Sequence, residues 1–249
     1  MTDWEELDGL SAIWEAAQVV WPLRDFASVL VPPTHWREHG NLRSKWETVK
    51  FVLSLTPSTR RFLFRHQIRS WCIQQIDQQG LVLEFGVADG ISTNQLARNL
   101  RSRGEGRLLY GFDSFKGLPK EWRPGIPKGA YAQSAPPTIE PNVRLVVGLF
   151  EDTLVPFLES HSGPVAFVHL DCDLYDSALY VLHELLERNR LRPGCVLLFD
   201  ELFNYPGWYS GGEYRALTES LPSRDLGLEF IGAVPSDHQV AVRVTPHNP

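Results

Sequence analysis

Cysteine is scarce in this 249-residue chain, and the three present, Cys72, Cys172 and Cys195, lack metal-finger spacing and are odd in number. That argues against a disulfide framework and favours a reducing, cytoplasmic setting. Dense runs of Lys and Arg are absent. With a formal net charge of -6 nothing draws the chain to nucleic acid, which is excluded as a partner. Long apolar runs are missing too: the stretch from Ala12 to Leu23 is broken by Glu15 and Pro22, short of the roughly 20 residues that span a bilayer. The first ten residues, MTDWEELDGL, are acidic where a secretion signal would be basic. The expectation is a soluble cytoplasmic protein without a membrane partner. There are no repeats and no low-complexity tract. At 43% hydrophobic and 22% charged residues the composition is globular, so a packed core is expected.

Residues 1–78 carry helical spacing but no convincing strand. Trp4, Leu7, Leu10, Ile13 and Trp14 repeat at helical intervals, as do Trp46, Val49, Val52 and Leu53. Pro32, Pro33 and Gly40 mark a loop between them. This part reads as a helical cap, with a second reading as a lid that closes over a ligand.

From Leu81 the pattern alternates. Strands are predicted at 81–85, 108–112, 143–147, 165–170, 195–199, 227–231 and 240–244, and helices near 92–103, 151–160, 175–189 and 211–220. Helical crossovers between strands predict an α/β, Rossmann-like, mostly parallel sheet of seven strands. A short turn separates the last two strands, so the final one should enter antiparallel. That order is the architecture of class I methyltransferases. The domain division expected is a 1–78 cap and a 79–249 catalytic domain. Lys116 to Pro141, rich in Pro and Gly, is a long loop of the kind that is usually functional.

Four motifs carry the chemistry. In LVLEFGVADG, the strand ends at Glu84, and Gly86 and Gly90 flank Val87, Ala88 and Asp89 before a helix begins. A dinucleotide fingerprint needs G-x-G-x-x-G, which is not matched. The acidic-x-Gly-x-Gly-x-Gly pattern of S-adenosylmethionine loops is matched, with Ala88 in place of the middle glycine. In YGFDSFKGLP, Asp113 ends the next strand, where a carboxylate can bind both hydroxyls of a ribose or can simply cap the loop with Ser114 turning the chain.

VHLDCDLYDS and VLLFDEL place Asp171, Asp200 and Glu201 at neighbouring strand ends, 29 residues apart from 171 to 200. Carboxylates brought together repel unless a cation neutralises them, and an all-oxygen set suits Mg²⁺. Asp171, Asp200 and Glu201 are the candidate ligands. Asp173 and Asp176 read as caps of the following helix. Asp171 is also the leading candidate for the base, with His169 and His238 as alternatives. His169 lies within a strand, where a core role is the commoner one.

EFGVADGIS, YGFDSFKGLP, GLFEDTL, HLDCDLYDS and the acidic pair of FDELFNY, in that order over about residues 81–218, resemble the macrocin O-methyltransferase family, metal-dependent enzymes acting on sugar hydroxyls in antibiotic (natural product) biosynthesis. The resemblance implies S-adenosyl-L-methionine as donor and Mg²⁺ as assisting ion. It implies cofactor contacts from Glu84, Gly86 and Asp113, together with Val87, Asp89, Ser92, Ser114 and Asp171. The turn with Gly148, Phe150 and Glu151 would border the adenine. The family has a second aspartate and a tyrosine where this chain has Glu201 and Leu202. Tyr205, Trp208 and Tyr209 are expected at the acceptor, and Glu213 either orients an acceptor hydroxyl or begins a helix. The implied activity is O-methylation of a small molecule, a sugar or a glycosylated natural product. Alternatives are an N- or phenolic acceptor, or a cofactor-binding protein without catalysis. A homo-oligomer is compatible with the sequence.

Overall fold

The computed structural model describes residues 42–104, 106–220 and 225–247. The early helical pattern from Trp4 to Trp14, and Pro32, Pro33 and Gly40, lie outside the described residues. Helix α1 (Leu42–Ser54) precedes β1 (Arg60–Arg61) and α2 (Arg65–Gln74). Then come β2 (Leu81–Phe85), α3 (Ile91–Ser102), β3 (Leu109–Asp113), β4 (Val143–Val147), α4 (Phe150–Ser160), β5 (Val165–Leu170), α5 (Tyr175–Glu187) and β6 (Val196–Phe199). A 3₁₀ turn (Trp208–Ser210), α6 (Gly212–Ser220), β7 (Leu226–Ala233) and β8 (Val240–Pro246) complete the chain.

The strands form one sheet in the order β1-β7-β8-β6-β5-β2-β3-β4. This is the class I methyltransferase arrangement, with β8 antiparallel to both β6 and β7 and every other pair parallel. Among the described residues the sheet has eight strands where seven were expected. The extra one, Arg60–Arg61, pairs parallel with Gly232 and Ala233, and two residues are too few to leave a periodic signal.

The sheet is central because both of its faces are apolar. All six residues of β5 and all four of β6 are buried, as a covered parallel sheet requires. Alternate side chains serve two cores. Leu83, Phe85, Val168 and Phe199 face the side covered by α4, α5 and α6, while Val82, Phe167 and Leu198 face α2 and α3. In α5, Ala178, Val181, Leu182, Leu185 and Leu186 form one apolar stripe. Truncating Leu182 to Ala would cost about 2–5 kcal/mol. All three cysteines are free and buried. Among the described residues no helix is long and apolar enough to cross a membrane.

The loop from Ser114 to Asn142 has no regular element beyond one bridge, Arg123 to Ile126. It is folded on itself nonetheless, since Leu118 N–H donates to Ala130 O at 2.9 Å and Gln133 N–H to Phe115 O at 3.0 Å. Its far end is fastened to α3, where Asn94 bonds Thr138 O and Glu140 N–H, and Arg98 and Arg101 pair with Glu140.

Candidate active site

The carboxyl ends of β2 to β6 converge on a cavity of about 400 Å³, within the usual range for small-molecule sites. Its floor is the turn after β2. Gly86 there has φ 95°, and a Cβ would stand 2.1 Å from the Asp171 carbonyl oxygen, so no larger residue fits. Ala88, which occupies the middle glycine position, is itself held at φ 46°. Asp113, ending β3, fixes this turn: its Oδ2 accepts from Val87 N–H and Ala88 N–H, both at 2.8 Å. Its Oδ1 accepts from Phe115 N–H at 2.7 Å. One carboxylate therefore ties two strand ends together while lining the cavity.

Of the residues expected at the cofactor, Gly86, Asp89, Asp113, Ser114, Gly148, Phe150, Glu151 and Asp171 lie on the wall. Glu84, Val87 and Ser92 do not. Val87 and Ser92 are buried behind it, and Glu84 turns into the core, where its Oε1 is 2.9 Å from His169 Nδ1.

The opposite wall is acidic. Asp171, Asp173, Asp200 and Glu201 all line it, and ligand atoms of His169, Asp171 and Asp200 lie within 4.8 Å of one another. Asp200 is the hub. Arg65 Nη1 donates to its Oδ2 at 2.6 Å, Arg69 Nη2 to its Oδ1 at 3.2 Å, and Gln239 Nε2 also donates to Oδ1. His169 Nε2 is 3.4 Å from Oδ1. Asp237 anchors Arg65 in turn through both carboxylate oxygens, at 2.6 and 2.7 Å. Arg65 and Arg69 stand one helical turn apart on α2, so both reach the same carboxylate.

Charge follows this geometry. Burial alone would raise the Asp200 pKa, but the hydrogen bond from His169 and the charges of Arg65, His169 and Arg69 hold it well below the usual range. Asp171 and Glu201 are pushed well above theirs, first by burial and then by the Asp200 charge. Asp173 is raised to about 7 for the same two reasons. Burial opposes the charge on His169, yet hydrogen bonds to Asp200 and Glu84 hold its pKa up at about 9. His238 is lowered to about 4, chiefly by burial.

Several expectations need correction. Asp173 does not cap α5: it adopts φ 57° and lines the cavity, and the cap position is Leu174, without a side-chain cap. Asp176 does lie in the first turn of α5, where it pairs with Lys120. His238 is off the wall, with Nδ1 3.0 Å from Phe203 O and Nε2 3.8 Å from Glu201 Oε2. The three acceptor aromatics are not on the wall either. Trp208 is core, its Nε1 donating to Ser44 O and Thr48 Oγ1 and its ring against Phe51 and Tyr214. Tyr209 lies beneath Arg43, and Tyr205 packs against Trp122 and His238. The cavity is instead walled by Arg65, Ser177, and Tyr131 and Gln133 of the long loop. Arg65 and Arg69 had a visible signal in their i, i+4 spacing. Tyr131 and Gln133 had none, because a loop has no period.

Residues 83–202 match the model of the methyltransferase domain family. With this domain on this fold, the chain is a methyltransferase. Among solved structures it is similar to CalS11, a calicheamicin methyltransferase, with a TM-score of 0.58 and 23% identity, covering 88% of this chain and 90% of that one. The O-methyltransferase NovP gives a TM-score of 0.57 at 22% identity, covering 73% of this chain and 79% of that one. An apo structure of CalS11, described as a TDP-rhamnose 3'-O-methyltransferase, gives 0.52 at 25% identity, covering 73% and 81%. Among curated proteins none matches it in sequence. The matched model is the broad methyltransferase domain rather than the macrocin family that the motifs resemble.

Proposed function

We propose that the protein methylates a hydroxyl of a small molecule, a sugar or a glycosylated natural product, with S-adenosylmethionine as donor and Mg²⁺ as assisting ion. The reading is carried by one observation: the glycine turn with Asp113 and the carboxylates Asp171, Asp200 and Glu201 border the same cavity. The named neighbours, a calicheamicin methyltransferase and a TDP-rhamnose 3'-O-methyltransferase, support a sugar-bearing acceptor and a role in natural product biosynthesis.

On the donor side, Gly86, Asp113, Ser114 and the turn from Gly148 to Glu151 would hold the nucleoside. Asp113 accepts two backbone N–H groups on Oδ2 and one on Oδ1, and the acceptor site left on Oδ1 suits a ribose hydroxyl. The donor set also fits a hard divalent cation. Glu201 Oε2 is buried without a hydrogen-bond partner, and Asp171 is pushed up first by burial and then by the Asp200 charge, the circumstances a cation would relieve. His169 Nδ1 is held by Glu84 at 2.9 Å, while its Nε2 is buried without a hydrogen-bond partner and lies close enough to Asp171 and Asp200 to be a third ligand. When bound, Mg²⁺ lowers the pKa of a coordinated hydroxyl and fixes its oxygen.

The acceptor oxygen then takes the methyl group in line, the sulfur leaves as a neutral thioether, and Asp171 accepts the hydroxyl proton. Tyr131, Gln133 and Arg65 would contact the acceptor. Of the segment expected as a 1–78 cap, α1 reaches the main domain through Ser44 and Thr48, which hold Trp208, while β1 and α2 belong to the sheet and its core.

The test is methyl transfer from labelled donor to nucleotide-linked and free deoxysugars, with and without chelator. Loss on chelation and recovery with Mg²⁺ are expected. Transfer that ignores chelation would remove the metal from the reading.

A further inference from the structure

Parallel pairing of β5 with β6 ends at Leu170 and Phe199, with Asp200 N–H still donating to Leu170 O at 2.8 Å. Beyond that point the two chains part, and the N–H groups of Cys172 and Glu201 have no strand to face. One side chain takes both. Glu213 Oε1 accepts from Cys172 N–H and Glu213 Oε2 from Glu201 N–H, each at 3.1 Å.

Glu213 is wholly buried in the first turn of α6. The start of that helix is itself fixed, because Gly212 has φ 56° and a Cβ there would stand 2.0 Å from the Tyr205 hydroxyl oxygen. The two residues it grips are the immediate neighbours of Asp171 and Asp173 on one loop and of Asp200 on the other. No role in donor binding is open to it, since both of its oxygens are spent on these amides and it is not on the cavity wall.

We propose that Glu213 is a positioning residue for the carboxylate centre, a clamp that sets the spacing of Asp171 from Asp200 and Glu201 and so governs how tightly that centre holds a divalent cation. The inference rests on the metal-assisted reading above. The clamp needs two acceptors at the reach of glutamate. Glutamine keeps the length but offers a single oxygen, and its NH₂ would face an N–H. Aspartate keeps both oxygens but falls one methylene short.

The test compares wild type, Glu213→Gln, Glu213→Asp and, as an exposed control on the same helix, Glu219→Gln. Affinity is measured by calorimetry for Mg²⁺ and for S-adenosylhomocysteine, alongside thermal melts and kcat. Supporting residues of metal ligands typically change affinity by about 10- to 100-fold. Glu213→Gln and Glu213→Asp should weaken Mg²⁺ by that amount and lower kcat, with S-adenosylhomocysteine affinity within about 2-fold and Glu219→Gln unchanged. Unchanged Mg²⁺ affinity in a folded Glu213→Gln, or equal loss of both ligands together with the melting transition, would overturn the clamp. Failure of the wild type itself to bind Mg²⁺ would overturn the metal-assisted reading first, and the clamp with it.

Discussion

Glu84 Oε1 and His169 Nδ1 are 2.9 Å apart at the heart of the sheet, and neither side chain reaches solvent. They sit on neighbouring strands, β2 and β5, as direct register partners. Removing one member of such a pair strands the other in a medium that solvates it poorly. Glu84→Leu is predicted to cost about 3–5 kcal/mol and Glu84→Gln less, since the amide oxygen still accepts. Denaturant midpoints at constant slope would measure this. A loss below about 1 kcal/mol for Glu84→Leu would mean that the pair adds little.

Asp113 does two jobs on this geometry, tying the β2 turn and facing the cavity. Asp113→Asn removes the charge and turns an NH₂ toward a backbone N–H that an oxygen now accepts, and is predicted to weaken S-adenosylhomocysteine by about 1.5–3 kcal/mol and to lower stability as well. Calorimetry that found the affinity unchanged would show the carboxylate to be a structural tie alone.

Asp171→Asn should abolish methyl transfer while donor affinity stays nearly intact, because the proton acceptor goes but the nucleoside contacts remain. A large fall in donor affinity, read in the same titration, would place Asp171 at the donor instead.

The β2 turn makes a paired prediction. Gly86→Ala would drive a methyl into the Asp171 carbonyl oxygen and should fail to fold or lose well over about 3 kcal/mol. Ala88→Gly relieves a φ of 46° and should be neutral or stabilising by up to about 1 kcal/mol. Thermal melts of both variants decide it; a destabilised Ala88→Gly would argue that the methyl group packs usefully.

Trp208 and Tyr131 separate packing from recognition. Trp208→Phe loses two buried hydrogen bonds and should cost about 1–3 kcal/mol with the acceptor KM unaltered. Tyr131→Ala should raise the acceptor KM with little change in stability. The opposite assignment of effects would restore Trp208 to the acceptor site.

Regular elements were legible because burial repeats along them. β2, β4 and β5 were located residue for residue, since continuous apolar runs such as VAFVHL have no other reading inside an alternating pattern. The hairpin of β7 and β8 was equally plain from the short turn between them. At the site, residues at the ends of strands were found: Gly86, Asp113, Asp171, Asp200 and Glu201 all reach one cavity because parallel strands deliver their ends to one edge. What escaped was whatever depends on tertiary direction. Trp208, Tyr209 and Tyr205 are near the acidic pair in sequence, but the chain turns at Gly207 and Gly212 and carries them into the core or behind the wall. Tyr131 and Gln133 arrive from a loop whose path is set by hydrogen bonds between distant residues. Asp173 looked like a cap because acidic residues before helices usually are; its left-handed backbone turns it to the cavity instead.

The pairing of Arg65 and Arg69 with Asp200 bears on how the protein would behave when divalent ions run short. An acidic centre without internal counter-charge would come apart on chelation, and the amount of folded protein would follow the supply of the ion. Here α2 brings two permanent cations to the most acidic carboxylate, so the fold is self-neutralising. Chelator should leave the melting temperature almost where it was. If methyl transfer needs the ion as proposed, scarcity of the ion would idle the enzyme without removing it, and restored supply would return activity without new synthesis.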